Sequence, residues 1–175
     1  MPPRLLYAQA QAANGLPPLR PEGFERVARA LAELGHAHAP RWLEVAARTS
    51  QEAADALGVS LGQIAKSVVF RRTADDQAVL VIASGDRRVD ERKLAAIAGA
   101  VGRADAQFVK QRTGFAIGGV SPIGLAGAPL MLIDRELSRF GVIWAAAGHP
   151  NGVFQLTPAD LQRLTGAPLA DVVQA

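Results

Sequence analysis

The chain of 175 residues is 49% hydrophobic and 20% charged, with a net charge of +3, the balance of an ordinary folded domain. It contains no cysteine, which excludes disulfides, thiolate metal sites and cysteine nucleophiles, and no apolar run approaches the ~18 residues of a membrane span. A pI of about 9.9 leaves two readings open: an Arg-rich solvated surface, or a polyanionic partner met through Arg71-Arg72, Arg87-Arg88, Arg92 and Lys93 if these share a face.

Residues 1–21, carrying Pro, Ala and Gln, are predicted as an irregular N-terminal extension, and residues 22–175 as a single domain. The opening Met1-Pro2-Pro3-Arg4-Leu5-Leu6-Tyr7-Ala8 imitates a signal peptide, but its apolar stretch is short and Gln-interrupted, so a cytoplasmic protein is expected. A first helix is predicted from Glu22 to Leu34, with Phe24, Val27, Ala28, Leu31 and Leu34 on one face and Gly35 as its stop. A second begins at Thr49, where Thr49-Ser50-Gln51-Glu52 matches a capping box, and stops at Gly58. Ser60-Leu61-Gly62-Gln63 starts a short turn that leads into Lys66.

The period then changes. Ser67–Arg72 and Ala78–Ser84 are predicted strands, and Asp75-Asp76 marks the turn of an antiparallel hairpin. Asp90–Ala98 is a short helix with Asp90 as N-cap and Gly99 as stop. Pro129–Asp134, Val142–Ala146 and Val153–Leu156 are further strands. A last helix opens at Thr157-Pro158-Ala159-Asp160 and stops at Gly166. Hairpins mixed with scattered helices do not alternate as in a doubly wound fold. The expectation is an α+β fold with a mixed, partly barrel-like curled sheet and flanking helices.

Two features carry candidate chemistry. Lys66 stands at the entrance of an apolar strand, where a charged side chain is out of place. Thr113-Gly114-Phe115-Ala116-Ile117-Gly118-Gly119-Val120-Ser121-Pro122-Ile123-Gly124 is too rich in glycine for a plain connector; its glycines permit positive φ and free backbone N–H groups. Alone, Lys66 reads as a lysine snorkelling from a sheet edge. Together, a cation and a backbone-exposing loop make a site for a phosphate-bearing or carboxyl-ester ligand. No Gly-x-Ser-x-Gly elbow, Walker loop or dinucleotide fingerprint is present. Ser121 is expected to hydrogen-bond its own loop. His36-Ala37-His38 has no neighbouring carboxylate cluster and reads as exposed rather than as a metal pair. His149 is either a turn histidine or a pocket-rim group.

Four segments, in order and spacing, resemble the YbaK/prolyl-tRNA-synthetase-associated family of aminoacyl-tRNA editing domains. They are Arg48-Thr49-Ser50-Gln51-Glu52-Ala53-Ala54, Gln63-Ile64-Ala65-Lys66-Ser67-Val68-Val69-Phe70, Thr113 through Pro122, and Ala145-Ala146-Ala147-Gly148-His149. The resemblance covers roughly residues 22–172. It implies hydrolysis of the ester joining a wrong, small amino acid to tRNA, often the tRNA for proline. In the family the lysine matching Lys66 is the key polar group of the pocket, and the Gly-x-x-x-Pro loop matched by Gly118 and Pro122 lines it. Lys66 and Gly118 are therefore the catalytic candidates. Ala47, Thr49, Ser67, Gly119, Val120, Ser121, Pro122, Ala147, Gly148 and His149 are the substrate-binding candidates. Some members have serine and glycine where this chain has Ala146 and Ala147, which removes a polar group near the substrate and weakens a cysteine-specific reading.

An aminoacyl ester is already activated, so positioning water or the substrate's own side chain at the carbonyl suffices. Loop N–H groups would stabilise the oxyanion, Lys66 would orient the phosphate or carbonyl oxygen, and Ala47, Gly118 and Gly119 would exclude larger amino acids by size. The implied partners are the acceptor end of aminoacyl-tRNA and, as a further candidate, an aminoacyl-tRNA synthetase. No metal, cofactor or membrane is implied. A non-catalytic nucleic-acid-binding module, from the pI and the arginine pairs, and a small-molecule amino-acid esterase stand as alternatives.

Overall fold

A computed structural model describes residues 20–175; the extension predicted for 1–21 lies, apart from Arg20 and Pro21, outside the described residues. Helix α1 (Glu22–Glu33) buries Phe24, Val27 and Leu31 at the predicted spacing. It ends one residue early: Leu34 is the C-cap and stays 46% exposed. After the two-residue strand β1 (Arg41–Trp42) comes α2 (Ser50–Leu57), capped by the Thr49 hydroxyl, which accepts from Glu52 N–H, and closed by Gly58 in the left-handed region. A 3₁₀ turn over Leu61–Gln63 then feeds the longest strand, β2 (Ile64–Arg72), which makes a hairpin with β3 (Ala78–Ser84).

The second half contains α3 (Glu91–Ala98), β4 (Val101–Arg103), α4 (Ala106–Thr113), β5 (Leu130–Asp134), β6 (Ile143–Ala146), β7 (Gly152–Leu156), α5 (Pro158–Thr165) and β8 (Leu169–Ala170). The caps predicted at Asp90 and Thr157 are both made. The strands form one curled, open mixed sheet in the order β1-β7-β6-β2-β3-β5-β8, with β4 also on β2. β3 is buried along its whole length, so its uninterrupted apolar run is that of a central strand covered on both faces. Leu80 and Ile82 face the core built with α1, α4 and α5, while Val79, Val81 and Ala83 face a second core with Leu94 and Ala98 of α3. A third cluster packs Ala53 and Ala54 of α2 on Ile64 and Trp144.

The pairing of β2 decides where a site can form. On one side β3 pairs it from Ala65 to Arg71. On the other side two different strands share it: β6 runs parallel against Ile64 and Ala65, and β4 runs antiparallel against Phe70, Arg71 and Arg72. Among the described residues, no strand lies alongside 66–69 on this side, between the two pairings. The sheet is split at that point.

Candidate active site

A cavity of about 640 Å³ opens on this split. One wall is β2 itself, from Ala65 to Val69. A second is the segment before α2 with the start of that helix, Ala47 to Gln51. A third is the loop after α4 at Ile117, Gly118 and Val120, and a fourth is the turn after β6 at His149 and Pro150. Lys66 sits inside the strand, opposite Ala83, rather than at its entrance, because β2 starts at Ile64. It is half-buried there and lines the cavity. Among the described residues its ammonium makes no hydrogen bond or ion pair. Arg48 also lines the cavity without such a partner, and no Asp or Glu among the described residues lines it. The site is therefore a cationic pocket with mostly apolar walls, and the start of α2, with its unpaired N–H groups, adds to its positive potential.

The loop after α4 is held rigidly. Phe115 is fully buried, Thr113 Oγ1 accepts from Phe115 N–H at 3.1 Å, and the Arg26 guanidinium lies 4.3 Å over the Phe115 ring while donating to the Gly124 carbonyl at 2.8 Å. Gly118 has φ +94°, a value that side chains rarely adopt. Gly119 meets the His149 turn backbone to backbone: a Cβ there would come within 2.8 Å of His149 N and Cα.

His149 is fixed from several directions. Its ring stacks on Trp42, with centroids 5.0 Å apart and planes at 27°. Its Nδ1 accepts from Asn151 N–H at 3.1 Å, so the neutral ring carries its proton on Nε2. Asn151 donates in turn to the Leu43 carbonyl at 2.8 Å, and Ala47 N–H donates to the Pro150 carbonyl at 2.8 Å. These bonds clasp the turn to the segment before α2. Burial pushes the His149 pKa down, and the Arg48 charge pushes it further in the same direction.

Of the residues singled out in the sequence, Ala47, Thr49, Lys66, Ser67, Gly118, Val120 and His149 line this cavity. Five do not. Gly119 is spent on the close approach just described. Ser121 is fully buried and accepts from Ile123 N–H at 3.1 Å, the loop-holding bond expected of it. Pro122 faces a shallower groove with Ala30, Leu34 and Met131, because the chain turns away after Val120. Ala147 packs into the main core, and Gly148, at φ +79°, lies against Gly23. Arg48, Ile117 and Trp144 also line the cavity: Arg48 and Ile117 stand in segments on which the resemblance rests, whereas Trp144 lies just before one. His36 lies apart, donating from Nε2 to the Gln155 carbonyl at 2.8 Å, and no three His, Cys, Asp or Glu side chains gather among the described residues. The arginine pair on the hairpin is neutralised at its turn: Arg71 pairs with Asp76 and Arg72 with Asp75, each at 2.7 Å.

The aminoacyl-tRNA editing domain matches residues 44–164, which contain every wall of the cavity. The chain belongs to the aminoacyl-tRNA editing domain family. Bacillus subtilis YwhH, an uncharacterized protein, is 38% identical over 123 residues, or 70% of this chain and 78% of YwhH. The proline–tRNA ligase of Thermoanaerobacter sp. X514 is 33% identical over 96 residues, 53% of this chain but 16% of the ligase. A crystal structure described as a candidate trans-editing enzyme for prolyl tRNA synthetase superposes with a TM-score of 0.83 at 36% identity, covering 90% of this chain and 100% of the other. The editing domain here has the α+β fold of that neighbour. No helix among the described residues is long and apolar enough to cross a membrane.

Proposed function

We propose that this editing domain is a trans-acting deacylase that hydrolyses the ester between a small amino acid and the 3′ end of a mischarged tRNA, with tRNA for proline as the first substrate to test. The observation that carries the reading is the ammonium of Lys66, unpaired among the described residues, in a cavity that none of their carboxylates lines. Such a pocket favours an electron-rich carbonyl and a phosphate over a carboxylate-seeking cation. In this reading Lys66 polarises the ester carbonyl, and Arg48 with the start of α2 receives the terminal phosphodiester. The N–H groups near Gly118 stabilise the oxyanion.

Water supplies the nucleophile. Its oxygen bonds to the carbonyl carbon, the bond from that carbon to the ribose oxygen breaks, and the water proton ends on the ribose oxygen. Free amino acid and uncharged tRNA leave. The apolar walls and Ala146 limit the side chain to a small one, within the modest discrimination that a methylene-sized difference allows. Relatives that carry a matching segment inside a proline–tRNA ligase support prolyl-tRNA synthetase as the source of the mischarged substrate.

The test is a deacylation screen over a panel of mischarged tRNAs, with wild type beside Lys66→Ala. Release of a small amino acid by wild type and a loss of about 100-fold or more in Lys66→Ala are expected. Salt-sensitive tRNA binding with no turnover would replace this reading with that of a binding module. Equal rates on free amino-acid esters and aminoacyl-tRNA would replace it with that of an esterase.

A further inference from the structure

The split in the sheet does more than make room. Along β2, backbone direction alternates. Arg72 N–H donates to Gln77 O on the β3 side, whereas Thr73 N–H donates to Ala100 O on the β4 side. Even-numbered residues thus turn their N–H and C=O toward β3, and odd-numbered ones turn theirs away. Ala65 meets β6 and Arg71 meets β4. Ser67 lies midway, lines the cavity and faces neither strand. Its hydroxyl oxygen is buried and has no hydrogen-bond partner among the described residues. Buried polar atoms without partners are rare in folded proteins, and here one stands beside a backbone edge that also lacks its strand.

We propose that Ser67 presents a one-residue strand edge that pairs with the aminoacyl group of the substrate. Its N–H donates to the ester carbonyl oxygen, and its C=O accepts from the α-amine. This deepens, and rests on, the reading of the cavity as an aminoacyl-ester site. The chemistry fits because an aminoacyl ester is a single residue: one amine, one α-carbon and one carbonyl. Two residues facing each other across an antiparallel ladder exchange two hydrogen bonds through the same atoms. The length of the gap fits as well. The β6 pairing ends at Ala65 and the β4 pairing begins at Phe70; of the two odd-numbered residues between them, Val69 adjoins the β4 pairing, so one incoming residue has an edge to pair with at Ser67, and a longer peptide would run into a strand already in place. The pocket would therefore recognise the invariant part of the amino acid through main chain, leaving side-chain choice to the walls. It would select a free α-amine, and so ignore peptidyl-tRNA.

Binding of non-hydrolysable analogues tests this without relying on turnover. The full chain is titrated with 3′-deoxy-3′-(alanylamino)adenosine and with its propionyl counterpart, which lacks only the amine. The alanyl analogue is expected to bind at least about tenfold more tightly, the range of one hydrogen bond with a desolvated acceptor. Replacing the Lys66–Ser67 amide by a backbone ester deletes the Ser67 N–H and otherwise weakens only the Lys66 carbonyl, which faces β3 and not the gap. The fold should survive, because that N–H pairs with no strand, and affinity for the alanyl analogue should fall about tenfold. Equal binding of the two analogues, no binding of the alanyl analogue, or an unchanged affinity after the ester replacement would each overturn the proposal. If the expected pattern appears while no mischarged tRNA is hydrolysed, the deacylase reading fails and the strand-edge pairing stands.

Discussion

Trp42 lies face to face with His149, which lines the cavity, 5.0 Å between ring centroids, although 107 positions separate them in the chain. The Arg20 guanidinium covers the same indole at 4.6 Å, and Phe24 meets it edge-on at 5.4 Å. Trp42 thereby ties α1, the cavity rim and the His149 turn together. Trp42→Leu is expected to lower stability by about 1–2 kcal/mol and to raise KM several-fold with little change in kcat. Trp42→Phe, which keeps an aromatic face, should restore KM. Steady-state deacylation and thermal melts of both variants check this; an unchanged KM in Trp42→Leu would show that the stack does not position His149.

The protonation of His149 gives a pH signature. Its pKa lies below the ordinary 6.5, first through burial and second through the charge of Arg48. The ring is accordingly neutral at pH 7. As pH falls below 6.5 the unfolded chain takes up this proton before the folded one does, so stability declines in that direction. Protonation at Nδ1 also breaks the bond from Asn151 N–H. NMR titration of the His149 ring should give a midpoint below 6.5. In Arg48→Ala the midpoint should move up but stop short of 6.5, because burial, the larger cause, remains. A downward move would contradict the assignment.

Gly119 is expected to tolerate no side chain. A Cβ placed 2.8 Å from the His149 backbone forces the two loops apart, with a cost of about 1–3 kcal/mol. Gly119→Ala should therefore melt several degrees lower and lose activity together with the His149 stack. The His149 ring resonances report the displacement directly; wild-type shifts in that variant would refute it.

Asp134 is a structural carboxylate rather than part of the site. It is fully buried, and accepts from Ser84 N–H at 3.0 Å and from Glu136 N–H at 2.9 Å. Ser84 Oγ in turn donates to the Gly62 carbonyl and accepts from Arg139 at 2.8 Å. The network anchors the turn that starts β2. Asp134→Ala leaves the buried Ser84 N–H and the part-buried Glu136 N–H unpaired and should cost about 1–3 kcal/mol, mostly through Ser84, read by denaturant unfolding, while kcat for the folded fraction stays near wild type.

Much of this architecture was legible residue by residue, because the decisive chemistry is local. Thr49 with Glu52, Asp90, and Thr157 with Pro158 and Asp160 announce helix starts by cap chemistry alone. Asp75-Asp76 marks the hairpin turn. Helix α4 escaped notice despite its Asp105 cap, because only Phe108, Val109 and Thr113 of its eight residues are buried, too few for a clear apolar stripe. Strands β1, β4 and β8, of two or three residues each, are too short to show a period. The site divides in the same way. Lys66, Gly118 and His149 converge on one cavity, as their segments suggested. The turning of the chain after Val120, which takes Pro122 to another face, depends on Arg26, Phe115 and Gly124, residues from different parts of the chain.

The gap in the sheet also bears on solubility. An unpaired strand edge is the usual template for aggregation, and proteins blunt such edges by keeping them short, recessed or charged. Here the open stretch is confined to residues 66–69, flanked by β6 and β4, and Lys66 stands on it. A strand from another molecule would have to enter a cavity and displace an ammonium group to pair with it. The lysine proposed to bind the ester thus also places a charge on that opening, and a neutral residue at position 66 is expected to leave the edge less protected.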